Sequence, residues 1–185
     1  MRLSDLSDEQ LALRARAQPR AAFEVLFERH RGPLHSFLLR SGADPSRVDD
    51  LFQQAFLKAY RAIPQFREEA RFKTWLYTIA SNVLADDRRA AQRRGPAAEL
   101  KEAMLVAEPD AQAGMERTEE LDRVKEALAQ VAANHRRLFA LVRFQGLSIA
   151  DAAAIVGMTP PAAKVTLFRI SRRLGEMLSP LKEKT

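Results

Sequence analysis

Of the 185 residues, 30 are Lys or Arg and 24 are Asp or Glu, and the resulting formal net charge of +6 points to a polyanionic partner. With no cysteine, neither a disulfide framework nor a thiolate metal site is available, and no run of about 18 apolar residues offers a membrane-spanning helix. The opening MRLSDLSDEQ lacks the apolar core of a signal peptide, so a soluble cytoplasmic chain with no direct membrane insertion is expected.

In chain order, Ser7 followed by Gln10 forms a capping-box signal for a first short helix. Pro19, tolerated in a first helical turn, opens a segment carrying Phe23, Leu26 and Phe27. Gly32-Pro33 is expected to kink or break that helix before Leu34, Phe37 and Leu38 resume the pattern. Asp44-Pro45 reads as the next start, an acceptor followed by a residue whose missing N–H costs nothing there. Its helix bears one stripe of Val48, Leu51, Phe52, Ala55, Phe56, Ala59 and Tyr60 and runs until Pro64. From Phe72 the spacing predicts another, with Phe72, Trp75, Leu76, Ile79, Ala80, Val83 and Leu84 facing inward and Trp75 assigned mainly to the core.

The charge then changes sign. Residues 1–94 hold 17 Lys/Arg against 12 Asp/Glu, residues 95–120 hold 2 against 7, and residues 121–185 hold 11 against 5. Alanine, proline, glycine and carboxylates dominate 95–120, which reads as a flexible acidic linker. Beyond it, Leu121, Val124, Leu128 and Val131 make one helical stripe, and Leu138, Phe139, Leu141 and Val142 another that Gly146 ends.

Residues 146–174 carry the most information. Ser148 caps a short helix with Ala152, Ala153, Ile155 and Val156 facing inward, and Gly157 supplies the positive φ of a tight turn. Thr159-Pro160 starts a second helix whose Ala163, Leu167, Ile170 and Leu174 face the first. Its other side presents Pro161, Lys164, Val165, Thr166, Phe168, Arg169, Arg172 and Arg173, with no carboxylate between Thr159 and Gly175. A one-sign helix on a tight turn is the pattern of a helix-turn-helix that enters a DNA major groove.

Residues 49–90, reading DDLFQQAFLKAYRAIPQFREEARFKTWLYTIASNVLADDRRA, resemble region 2 of the bacterial extracytoplasmic-function sigma factors, and the C-terminal part resembles their region 4. The match rests on Asp50, Gln53 and Phe56, then on Phe72, Trp75, Leu76, Tyr77, Ile79, Ala80, Asn82, Asp86 and Arg89. The resemblance implies an all-α fold: a region 2 helical domain over 1–94, a linker over 95–120 and a region 4 helix-turn-helix domain over 121–185. It also implies a promoter-specificity subunit held on core RNA polymerase through its beta and beta-prime subunits, with an anti-sigma factor as inhibitor.

By the same resemblance, Asp50, Gln53, Gln54, Phe56, Leu57 and Lys58 would dock on polymerase. Phe66, Arg67, Arg71, Lys73, Thr74, Tyr77, Ser81, Asn82, Arg88 and Arg89 would engage the single-stranded −10 element, which needs polar edges for an unstacked base and cations for the backbone. Arg136, Ser148, Pro160, Pro161, Lys164, Val165, Thr166, Phe168, Arg169, Arg172 and Arg173 would meet the −35 duplex. The chain departs from the family pattern at Gln54, where Glu is common, at 131–134, where Leu-Pro-Glu-Arg is common, and at Thr166, where Arg is common.

Neither an enzyme nor a metal protein is expected, and no cofactor. His30, His35 and His135 include no pair four apart, and the sequence has no phosphate-binding glycine loop or nucleophile elbow. Asp49-Asp50 and Asp86-Asp87 are adjacent pairs whose side chains diverge by about 100° on a helix. The remaining alternatives are a helix-turn-helix regulator that works without polymerase and an adaptor whose basic helices bind acidic partners.

Overall fold

The computed structural model describes residues 2–17, 19–67, 69, 71–94 and 130–178. The linker expected over 95–120 and the stripe at Leu121, Val124 and Leu128 lie outside them. The chain divides into two units, Met1–Leu105 and Val106–Thr185, each with its own core. All regular structure among the described residues is helical.

The first unit contains α1 (Asp8–Ala17), α2 (Pro19–Arg40), α3 (Val48–Ala62) and α4 (Phe72–Arg94), with 3-10 turns at Leu3–Asp5 and Ile63–Gln65. Its core gathers Leu11, Leu26, Leu34, Phe37, Leu38, Leu51, Ile63, Phe66, Phe72, Leu76, Tyr77 and Leu84, all removed from solvent. Aromatic edges knit the helices together: Phe27 meets Phe56 at 4.7 Å between ring centroids, Phe52 meets Phe56 at 4.9 Å and Phe37 meets Tyr77 at 5.0 Å. Each such pair adds about 0.5–1.5 kcal/mol beyond the area it buries.

The capping box before α1 forms as its sequence predicts, the Ser7 N–H donating to Gln10 Oε1 at 2.9 Å and the Gln10 N–H to Ser7 Oγ at 3.2 Å. Two local expectations are corrected. Of the kink or break expected at Gly32-Pro33, the break does not occur: α2 runs on through both residues, which lie on its exposed side while Leu26, His30, Leu34, Phe37 and Leu38 bury a continuous face. The lost backbone bond falls where water can replace it. Asp44-Pro45 starts a turn and not a helix: Asp44 Oδ1 accepts the Ser46 N–H at 2.8 Å, and α3 begins only after Arg47.

That α2–α3 turn is tied to α4. Arg88 Nη2 donates to the Ser41 and Gly42 carbonyls, and Arg47 pairs with Asp87 at 2.7 Å. At the other end of α4, the Phe72 N–H donates to Glu9 Oε1 of α1 at 3.3 Å.

The second unit contains α5 (Ala133–Arg143), α6 (Ile149–Val156) and α7 (Pro160–Leu178). Ser148 Oγ accepts the Asp151 N–H at 3.0 Å, and Gly157, at φ 73°, closes α6 with its own N–H on Ala154 O and that of Met158 on Ala153 O. These two bonds make a Schellman stop. Ala152, Ala153 and Ala163 are wholly buried, as are Leu138 and Leu141, so three methyl groups let the backbones of α5, α6 and α7 approach closely.

Candidate nucleic-acid interface

On α3 the 3.6-residue period buries Val48, Leu51, Ala55, Phe56 and Ala59 and leaves Asp50, Gln53, Gln54, Leu57 and Lys58 outward. Leu57 is 55% exposed, an apolar side chain that the fold itself does not use. Phe56 is the exception among the expected docking residues: it packs in the core against Phe23, Phe27 and Phe52, so it shapes α3 from beneath. Tyr60, assigned by sequence to the apolar stripe, is instead exposed, with its ring edge on Phe23.

The turn after α3 and the length of α4 form a second surface. Arg67, Arg71, Asn82 and Arg89 are exposed, and Lys73 and Thr74 are half-buried at the start of α4. Phe66, Tyr77 and Ser81 are buried, which corrects their expected place at the surface. Residue type suggested a base pocket, but the helical phase of Leu76, Ala80 and Leu84 carries Tyr77 and Ser81 inward, and burial pushes the Tyr77 phenol above its ordinary pKa. Trp75 is half-buried between Phe66 and Phe72, at 5.4 and 5.5 Å. Arg88 is also corrected, since its guanidinium is occupied by the α2–α3 turn.

Two open clefts flank this surface, each of about 440 Å³. One is lined by Lys58, Ala62, Ile79, Asn82, Asp86 and Arg89. Asp86 bridges its rim, bonded to Arg89 and 3.7 Å from Lys58, and the hydrogen bond from Arg89 holds its carboxyl below the usual range. The other is lined by Arg16, Pro64, Gln65, Phe66 and Arg67. Sequence reasoning missed Arg16, because α1 reaches the 64–67 turn only in the folded unit.

In the second unit, Pro160, Pro161, Lys164, Val165, Phe168, Arg169, Arg172 and Arg173 are exposed along α7, with Thr166 half-buried. Phe168 is 66% exposed, the most open large apolar side chain among the described residues. Arg172 pairs with Glu176 at 3.3 Å and Arg173 donates to Gln130, whereas Lys164 and Arg169, nearer the N-terminal end, have no ion pair among the described residues. Ser148 is exposed, but its hydroxyl is engaged by the Asp151 cap. Arg136 is half-buried with its Nε shielded from water, and this desolvation pulls its pKa below the ordinary guanidinium value. Phe144, also missed by sequence, stands exposed against Phe139.

Among the described residues no cluster of three potential ligands could hold a metal ion, and no helix is long and apolar enough to cross a membrane. What the surfaces offer is cations, amides and a few open apolar groups, the means of holding a polyanion and a protein partner.

Two family models match the chain, Sigma-70 region 2 over residues 26–94 and Sigma-70, region 4 over residues 121–174. The ECF RNA polymerase sigma factor SigM of Mycobacterium tuberculosis is 33% identical over 175 residues, covering 95% of this chain and 86% of the relative. The RNA polymerase sigma-H factor of Pseudomonas aeruginosa is 28% identical over 188 residues, covering 97% of each. Among solved structures, CnrH in complex with the cytosolic domain of CnrY aligns with a TM-score of 0.69 and 25% identity, over 94% of this chain and 97% of that one. The sigma factor RpoE of Bartonella quintana, in complex with the anti-sigma factor NepR, shares the fold with a TM-score of 0.70 and 24% identity, over 85% of this chain and 96% of its own.

Proposed function

Because the chain belongs to the extracytoplasmic-function sigma factors of the sigma-70 family, we propose that it binds core RNA polymerase in the cytoplasm, directs it to promoters and promotes their melting. Residues 1–94 serve as the module for polymerase and the −10 element, 95–120 as the tether and 121–185 as the module for the −35 element. The observation that carries this reading is the pairing of two surfaces in one chain: a polar α3 face crowned by an open Leu57, and a carboxylate-free outward face on α7 from Pro160 to Arg173.

Polymerase, through its beta and beta-prime subunits, meets Asp50, Gln53, Gln54, Leu57 and Lys58, with Leu57 as the apolar anchor that a helical partner needs. The single-stranded −10 element is held by Arg67, Arg71, Lys73, Thr74, Asn82 and Arg89. Lys164 and Arg169, without an ion pair among the described residues, meet phosphates or base edges of the −35 duplex, and Phe168 supplies apolar contact. An anti-sigma factor is the expected inhibitor, a reading supported by the solved complex of RpoE with NepR. No catalytic step is assigned to the chain.

Run-off transcription with purified core enzyme on a promoter library tests the proposal. Promoter-dependent initiation is expected only when the chain is added. A chain that gives no initiation but shifts a palindromic duplex by itself would be a regulator independent of polymerase.

A further inference from the structure

We propose that Arg16, on α1, is a phosphate ligand for the same single strand that the 64–67 turn engages, an inference that rests on the −10 reading above. Arg16 forms one wall of an open cleft of about 440 Å³ whose other wall is Pro64, Gln65, Phe66 and Arg67. Among the described residues that line the cleft, none is a carboxylate. Both guanidiniums are exposed, and neither has an ion pair or hydrogen bond among the described residues. Elsewhere in this unit Arg29, Arg31, Arg47 and Arg89 each sit on a carboxylate. Two cations left open around one hollow repel each other, and an anion between them reverses the sign of that interaction.

The position of Arg16 is set by a firmly mounted helix. Leu11, Ala12 and Ala15 of α1 are wholly buried. Asp8 bridges His30 at 2.7 Å and Arg29 at 2.9 Å, and Glu9 accepts the first N–H of α4. The carboxylates at the start of α1 therefore hold it to α2 and to α4, and Arg16 follows two turns later, about 12 Å along the axis. Phe66, buried against Phe72 and Trp75, fixes the opposite wall from below.

The chemistry of the lining favours a nucleic acid over a peptide. A protein segment needs an apolar anchor, and among the described residues of this unit the exposed large apolar side chains, Leu57 and Tyr60, are on α3 and do not line this cleft. A single strand needs guanidiniums for its phosphates and an amide with both donor and acceptor for a base edge, which Arg16, Arg67 and Gln65 provide.

The test uses the full chain assembled with core polymerase and titrated, at several salt concentrations, onto a promoter fragment whose −10 region is kept open by mismatched strands. Arg16→Ala is expected to weaken binding about 3- to 10-fold. It should also lower the slope of log K against log salt by about 0.7, the contribution of one phosphate on a single strand. Arg16→Lys should retain most of the affinity, and polymerase binding without DNA should not change. If Arg67→Ala weakens binding while Arg16→Ala alters neither affinity nor slope, the inference is overturned and the −10 reading stands. If neither variant matters, the −10 reading falls with it. A loss of polymerase affinity in Arg16→Ala would assign the cleft to a protein and equally overturn the inference.

Discussion

Arg88 and Arg67 both carry guanidiniums expected to meet the −10 strand, yet Arg67 is exposed while Arg88 is bonded within the fold. Arg88 is committed to the carbonyls of Ser41 and Gly42, so Arg88→Ala is expected to cost about 2 kcal/mol of stability in urea unfolding while leaving the salt slope of DNA binding unchanged. In the second unit, Lys164→Ala combined with Arg169→Ala should reverse that pattern. Unfolding should move by less than about 0.5 kcal/mol, whereas use of the −35 element in transcription should weaken by roughly 1–3 kcal/mol. Asp8 supplies a pH test. The hydrogen bond from His30, then that from Arg29, holds its carboxyl below the ordinary value. Its stabilising effect is therefore complete above the unfolded carboxylate pKa, near 4, and is lost as pH falls below that through the depressed folded value. Asp8→Asn should flatten this acid limb in thermal melts recorded from about pH 5 downward.

At the scale of elements, Gly157 and Pro33 make contrasting cases. A Cβ at Gly157 would meet nothing within 4 Å, so the cost of Gly157→Ala is the left-handed backbone alone, about 1–2 kcal/mol in thermal unfolding of the second unit. Pro33→Ala should instead stabilise the first unit by about 1–2 kcal/mol, because it restores a helical bond and gives back only part of that gain through a freer unfolded chain. The capping box at Ser7, the Ser148 cap and the Gly157 stop were legible because each is a local bond between near neighbours. The start of α3 was misplaced because Asp44 has two local uses, and the choice between a cap and a turn is made by what packs beyond it. Pro33 misled for a related reason: its penalty is real, but the buried face of α2 outweighs it. Phe56 is buried as its place on the apolar stripe predicts, so the docking role implied by the resemblance is the part that the structure corrects, and for Tyr77 and Ser81 the helical phase of α4 outweighs the polar chemistry that suggested a −10 contact. Arg16 was illegible, since nothing along the chain says that α1 will stand beside residues 64–67.

At the scale of the whole molecule, each unit offers a modest surface, and on the proposed reading polymerase is what would make the two act together. The free chain is therefore expected to bind a promoter duplex weakly, and addition of core enzyme should raise promoter affinity by at least about 100-fold in a fluorescence titration, as linked sites do when geometry lets both engage. The open side of α7 has a further consequence. Pro161, Lys164, Val165, Phe168 and Arg169 point away from the buried Ala163, Leu167 and Ile170, so they are exchangeable letters on a fixed rod. Replacing them leaves the buried face of α7 untouched, so on the proposed −35 reading a lineage would rewrite which genes it switches on through five positions without re-inventing the protein that reads them.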